Sequence, residues 1–241
     1  MPNITELAAA SLPISNSPLW TDCKANAQQD PSVYFMQHEE FLTLDANWSV
    51  TEDDAADTQA VGDAAFGELV LTCKATTDND ACQVTYAQEM FKLVSGKKMW
   101  FEARIKCPAG DATNLDFFIG LCEAEDLTGV ADNMPANGIG FHKDDGDTNI
   151  DLSSSDNGTN TQRAAVATLV DATWIRLGFK FNGGASGAGT ITPYVDDVAG
   201  TPITVTYATM AEMAPMFMVR NGDATTTQTL HVDYVKVVVE R

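Results

Sequence analysis

Apolar and polar residues alternate along much of the chain after residue 39. In residues 98–107 apolar side chains occupy every second position and charged side chains lie between them, and residues 173–181 repeat this pattern. A period of two is typical of a strand with one buried face. Residues 115–122 are apolar at almost every position, which predicts a central strand buried on both faces.

Turn-forming residues separate these segments. A glycine-rich stretch at 182–189 leads into a further predicted strand at 190–198, and residues 215–221 and 228–240 predict two more. No segment of ten or more residues shows a convincing helical period. The pattern predicts an all-β fold, an antiparallel jelly-roll β-sandwich formed by one domain at residues 39–241.

Residues 1–38 are predicted to form an extended N-terminal arm. Four prolines interrupt this segment, and its apolar area is too small for it to fold alone. The arm is therefore either flexible or ordered by lying on a partner. Apolar side chains such as Leu19 and Trp20 favour the second interpretation.

The charge of the chain is strongly acidic. It has 14 Lys and Arg against 34 Asp and Glu, a formal net charge of −20 and a pI near 4.2. Two stretches, 25–73 and 107–157, hold the whole imbalance. A surface of this sign has no basic face for phosphates, so nucleic acid is excluded as a partner.

The cysteines and the lengths of the apolar runs indicate in which compartment the chain folds. The five cysteines form an odd set without a Cys-x-x-Cys pair, which predicts buried free thiols in a reducing compartment. The first residues lack the basic start of an export signal. No apolar run approaches the 18 residues of a membrane span, so no membrane partner is expected.

Three segments carry a resemblance to known proteins. WFEARIKCPAG at 100–110 and HVDYVKVVVE at 231–240 resemble strands of laminarinase-like glucanases, and ATWIRLGFKFNGG with ITPYVDDV, within 172–198, resembles a laminin-G-type hairpin. Their order resembles the concanavalin A-like lectin/glucanase sandwich. This resemblance implies the same sandwich fold.

A second resemblance covers most of residues 40–241. DFFIGLCEAE and NGIGFHKDDGDTNIDL, together with the closing strand, are similar to tailed-phage virion proteins built on this sandwich. The resemblance implies a capsid decoration (cement) protein, made in the host cytoplasm and bound to the outer capsid surface. Its implied partners are the major capsid protein or other virion proteins, and a homo-oligomer, a trimer or a dimer, is expected. Head, neck and tail positions stay open.

Catalytic chemistry is not predicted from the motifs. The glucanase family supplies its two carboxylates as Glu-x-Asp-x-x-Glu after the FEARIK segment, and this chain carries GIGFHKDDGDTNIDL there instead. We therefore expect no enzyme, no catalytic or cofactor-binding residue and no cofactor. The three histidines, His38, His142 and His231, lack a spacing suited to a metal.

Calcium stays an open alternative. Asp145, Asp147, Asn149 and Asp151 place oxygen atoms at alternate positions, as a calcium loop does, and Asp233 matches a position that often supports calcium in these sandwiches. The sixth position of such a loop is an isoleucine rather than glycine, and a β-strand gives the same alternation. No metal site is therefore predicted.

The alternative function is a carbohydrate-binding adhesin module of a virion that mediates host attachment. A glycan would then be the partner, stacked on aromatic side chains such as Trp100, Trp174 or Tyr194.

Overall fold

The computed structural model describes residues 17–23, 31–62, 64–74, 78–127, 134–223 and 225–241. Every helix-or-strand element in these ranges is a β-strand. The strands are β1 (Tyr34–Glu39), β2 (Trp48–Glu52), β3 (Thr58–Val61), β4 (Leu69–Cys73), β5 (Ala81–Tyr86), β6 (Lys98–Lys106), β7 (Leu115–Cys122), β8 (Gly138–Lys143), β9 (Asn149–Asp156), β10 (Thr159–Thr168), β11 (Ile175–Gly183), β12 (Ala188–Val195), β13 (Val198–Ala199), β14 (Ile203–Thr206), β15 (Ala214–Asn221) and β16 (Gln228–Glu240). Within the same ranges, no helix is long and apolar enough to cross a membrane.

The strands form two antiparallel sheets. The nine-stranded sheet has the order β13-β12-β11-β6-β16-β4-β3, with β1 also paired to β16 and β14 to β12. The seven-stranded sheet has the order β10-β9-β8-β7-β15-β5-β2. This architecture confirms the predicted all-β, antiparallel jelly-roll sandwich of the concanavalin A-like kind.

The predicted strands agree closely with the observed ones. β6, β7 and β16 lie where the sequence pattern predicted them, and β7 is buried at all eight positions between β8 and β15. The glycine-rich connection is shorter than predicted, because β11 continues to Gly183 and β12 begins at Ala188. Ser186 and Gly187 make the turn with positive φ angles of 59° and 74°.

The core lies between the inner faces of the sheets. Phe101 of β6 stacks on Phe179 of β11 with ring centroids 5.0 Å apart, and Phe141 of β8 reaches Phe179 from the opposite sheet. All five cysteines are buried and free. Burial raises the pKa of the Cys82 thiol to about 12 and that of Cys107 to about 11, so these thiols are poor nucleophiles.

The predicted arm is represented by residues 17–23 and 31–38, and residues 1–16 lie outside the described ranges. The predicted boundary after residue 38 falls inside β1, which pairs with Val235–Glu240 of β16. Residues 17–23, here called the N-terminal plug, lie on the outer face of the nine-stranded sheet. The division into arm and sandwich domain stays a prediction.

The plug contacts the sheet through apolar and polar groups. Its buried side chains, Leu19, Trp20 and Cys23, pack with Trp100, Tyr194 and Val238. Trp20 Nε1 donates to Glu102 Oε2 at 3.0 Å, and Lys98 Nζ donates to Asp22 Oδ2 at 2.7 Å. This chain therefore covers part of its own outer surface.

Candidate functional site

The central part of the outer face of the seven-stranded sheet is covered by the β7–β8 connection, described at residues 123–127 and 134–137. Leu127 and Met134 belong to one buried apolar cluster with four residues of β7 and β15, namely Phe118, Cys122, Met216 and Met218. Pro135 lies above Gly138, because a Cβ added at this glycine would lie 2.4 Å from the proline Cγ. No ligand can lie flat across this part of the sheet.

Hydrogen bonds hold the connection in place. The Gln83 amide donates to the Glu125 carbonyl at 2.9 Å and accepts from Leu127 N at 2.8 Å. Arg220 Nη2 donates to the Leu127 carbonyl at 2.9 Å. At the base of the connection, Glu123 N donates to the Asn137 carbonyl at 3.0 Å. The connection is thus fixed to β5, β15 and itself.

Beside this cover the outer face opens into a groove with a volume of about 280 Å³. Its floor consists of two cross-strand pairs between β2 and β5, Ser49 with Thr85 and Thr51 with Gln83. Its remaining lining is Tyr86, Ala87, Ala124, Glu125 and Asp126. The volume is near the lower limit of small-molecule sites.

The polar groups of the floor differ in how they are engaged. Gln83 Nε2 donates to Thr85 Oγ1 at 3.0 Å, so the Thr85 hydroxyl keeps its own proton for an incoming acceptor. Within the described ranges, the Ser49 and Thr51 hydroxyls have no hydrogen-bond partner in the protein. The floor therefore presents hydroxyl groups of the kind that bind sugar hydroxyls.

Glu125 and Asp126 are the acidic residues that line the groove. Burial raises the pKa of Glu125 above its ordinary value, although the Ala136 N–H hydrogen bond opposes this shift; the nearby Glu123 charge adds to it. A raised pKa is the property that a carboxyl needs to act as a general acid. None of the groove-lining residues is Lys, Arg or His.

The aromatic residues proposed for sugar stacking lie elsewhere. Trp100 is completely buried and Tyr194 is 7% exposed, both under the N-terminal plug. The Trp174 ring lies 4.7 Å from the Arg104 guanidinium carbon and 4.5 Å from Lys106 Nζ. All three belong to the nine-stranded sheet side, so the groove is formed without them.

The residues considered for calcium have other partners. Asp147 accepts from Asn149 N at 2.7 Å, Asp151 accepts from Ala165 N at 2.6 Å, and Asp233 accepts from Arg104 at 2.7 Å. Asp145 lies in the exposed β8–β9 turn. In the described part of the chain, no three His, Cys, Asp or Glu side chains are grouped to hold a metal ion.

The three histidines are also separate. His38 pairs with Glu40 at 2.8 Å, His142 Nε2 contacts Ser153 Oγ at 2.9 Å, and His231 contacts Glu68. Each has a local partner on its own part of the sandwich, and the structure brings none of them into the groove.

No family model and no curated protein matches this chain. Solved structures match in fold. An endo-1,3-β-glucanase from Streptomyces sioyaensis has a TM-score of 0.62 at 16% identity, over 87% of this chain and 97% of that chain. The lectin UEA-II complexed with galactose has a TM-score of 0.54 at 13% identity, over 86% and 99%. A carbohydrate esterase from the Shiga toxin-encoding bacteriophage phi24B has a TM-score of 0.50 at 20% identity, over 81% and 91%.

These similarities correct one expectation. The prediction that the chain is not an enzyme was wrong, because its structural neighbours include a glucanase and an esterase. The prediction used the absence of one glucanase motif, and an esterase on the same sandwich shows that the fold is not limited to that chemistry. The neighbours are carbohydrate-binding or glycan-active proteins, and one comes from a phage.

The groove was not predicted from the sequence. The sequence does contain a trace of the groove, because polar residues occupy every second position of both strands: Ser49 and Thr51 in β2, and Gln83 and Thr85 in β5. Both segments are short, and only the pairing of β2 with β5 brings the four side chains together.

Proposed function

We propose that this protein binds a glycan in the groove between β2, β5 and the β7–β8 connection. The observation that carries the proposal is the floor of paired hydroxyl and amide side chains, Ser49 with Thr85 and Thr51 with Gln83, beside the two acidic lining residues. Its fold neighbours include a lectin complexed with galactose and a glucanase, which supports the same ligand class. Sugar recognition needs fixed hydrogen-bonding groups in such a concave site.

The experiment is a binding titration of oligosaccharides with the full chain and with Thr51→Val. This substitution removes one floor hydroxyl and keeps the β-branched shape, so we expect affinity to fall by about tenfold. Thr190→Val is the matched control, because Thr190 is an exposed strand threonine of the nine-stranded sheet. Equal affinity of both variants for every bound glycan would contradict this site.

Turnover is measured in the same incubations by the release of reducing sugar or acetate. Glu125→Gln keeps an oxygen that accepts the Ala136 N–H and removes the acidic proton. If bound glycan is cleaved through Glu125, the variant loses turnover of neutral glycans that it still binds. Unchanged turnover in Glu125→Gln would remove Glu125 as the acid.

A second candidate function is structural, on a phage particle. Leu42 is 67% exposed and Phe66 is 80% exposed, and their loops touch, since a Cβ at Gly67 would lie 2.7 Å from the Phe41 carbonyl carbon. Phe66 holds a strained φ of 78° while its ring faces solvent. Exposed apolar groups held at an energetic cost favour a protein contact.

This candidate keeps the partners and place that the sequence resemblance implied, namely a capsid protein on the outer surface of a particle and a dimer or trimer of this chain. The test is co-sedimentation with purified empty capsids of the phage concerned. Phe66→Asp should abolish co-sedimentation, and Val198→Asp, at a 70% exposed apolar position on β13, is the control. Equal co-sedimentation of the two variants would contradict the contact.

A further inference from the structure

The groove has a one-sided electrostatic character that the other charges of its sheet do not offset. Two of its lining residues are acids, Glu125 and Asp126, and none is a base. Three bases lie on the strands of this sheet: Lys143, Arg163 and Arg220.

Two of these bases are withdrawn from the surface. Lys143 is fully buried and donates to the carbonyl oxygens of Thr113, Leu115 and Asp144 at 2.7 to 3.2 Å. Arg220 is 2% exposed and donates to the Leu127 carbonyl. Their charges are directed at backbone oxygen atoms rather than at solvent.

The third base is distant. Arg163 lies on β10, at the edge of the seven-stranded sheet opposite to β2, with five strands between β10 and β2. A separation of this size exceeds the distance over which surface charges act at physiological ionic strength. The groove is therefore negative in a protein whose net charge is already −20.

We propose that the groove selects glycans that carry positively charged amino groups, such as glucosamine polymers, over neutral glycans, and that it rejects uronic acids. This inference rests on the proposed function. The floor hydroxyls of Ser49, Thr51 and Thr85 meet sugar hydroxyls, and the Glu125 and Asp126 carboxylates meet the ammonium group. Glu125 is partly withdrawn from water, so an ammonium group beside it replaces lost solvation. A uronate carboxylate in the same place meets like charge.

The experiment compares three oligomers of equal length: β-1,4-linked glucosamine, its N-acetylated form and oligogalacturonate. In weakly acidic buffer of low salt, the glucosamine oligomer should bind about fivefold or more tightly than the N-acetylated form. Oligogalacturonate should bind most weakly. The advantage of the amino oligomer should fall at about 1 M salt, because salt screens the attraction.

Two charge-removing variants sharpen the test. Glu125→Gln should reduce binding of the glucosamine oligomer by a larger factor than binding of the N-acetylated oligomer. Asp196→Asn is the matched control, since Asp196 lies on the nine-stranded sheet side and asparagine keeps an acceptor for Arg176 N. Far-UV circular dichroism establishes that each variant is folded, and the salt dependence of the natural chain tests the proposal independently of any variant.

The outcomes separate the two proposals. Preference for the amino oligomer that Glu125→Gln abolishes supports the inference. Tighter binding of oligogalacturonate, or equal binding of the amino and N-acetylated oligomers, overturns the inference and leaves glycan binding intact. Failure of all glycans to bind overturns both.

Discussion

Leu19 is the side chain through which docking of the N-terminal plug is best tested. It is 1% exposed, and its Cδ2 atom occupies the space above Gly178, 2.5 Å from the position that a Cβ on this glycine would take. Only glycine at position 178 of β11 leaves room for the Leu19 side chain. The contact is therefore specific to this pair of residues.

The magnitude follows from burial. Truncating a fully buried leucine to alanine costs about 2 to 5 kcal/mol. Even the lower value changes the equilibrium between the docked and the released plug about 30-fold. The plug is seven residues long and lies outside the main core, so its local opening takes less free energy than global unfolding. Leu19→Ala should release the plug and leave the sandwich folded.

Tryptophan fluorescence reports the release. Two of the four tryptophans, Trp20 and Trp100, are buried at this contact and would enter water together, which shifts their emission to longer wavelength. Leu42→Ala is the matched control, because Leu42 is 67% exposed and should change nothing. The reasoning is refuted if Leu19→Ala keeps the emission of the natural chain, or if it unfolds the whole protein in one transition.

Three further predictions follow from charge and backbone geometry. Burial alone would raise the pKa of Asp22, but Lys98 and Lys180 outweigh burial and lower that pKa below 3.8. The contribution of Asp22 to docking of the plug is therefore present above pH 3.8 and is lost as the pH falls through the lowered pKa. Tryptophan emission during an acid titration checks this. Lys143→Met removes the donor to the buried Leu115 carbonyl and to the part-buried carbonyls of Thr113 and Asp144, and should lower the free energy of unfolding by about 2 kcal/mol in urea titrations. A loss under about 1 kcal/mol would contradict this role. Phe66→Gly relieves the strain of a φ of 78° at a residue that is 80% exposed, and should raise the free energy of unfolding by up to about 1 kcal/mol. A lower midpoint temperature in thermal denaturation would instead show that packing holds the Phe66 ring.

The sequence predicted those features that depend on local alternation. β6, β7 and β16 were predicted within one residue of their observed ends, because β6 and β16 alternate over nine or more residues and β7 is a continuous apolar run of eight. Short strands such as β2 and β3 carry too few periods to be recognised. Their identification depends on pairing with β5 and β4.

The candidate site was less predictable than the fold. Trp100 has an aromatic ring suited to stacking on a sugar and an outward position on β6. Residues 17–23, which are distant from it in the sequence, nevertheless bury it. Phe118, an outward residue of β7, differs, because the apolar run 115–122 predicts burial on both faces and the β7–β8 connection provides that cover. Coverage by a distant segment leaves no periodic signal in β6, so alternation alone predicts the Trp100 side chain as exposed.

The position of the β7–β8 connection limits how a polymer can approach. Because Leu127, Met134 and Pro135 occupy the middle of the seven-stranded sheet, an extended chain cannot run across all its strands. In the part of the chain that the structure describes, the groove by which such a polymer can meet this face lies at the rim formed by β2 and β5. Affinity should therefore stop rising after the first few saccharide units, as in recognition of a chain end or a short branch.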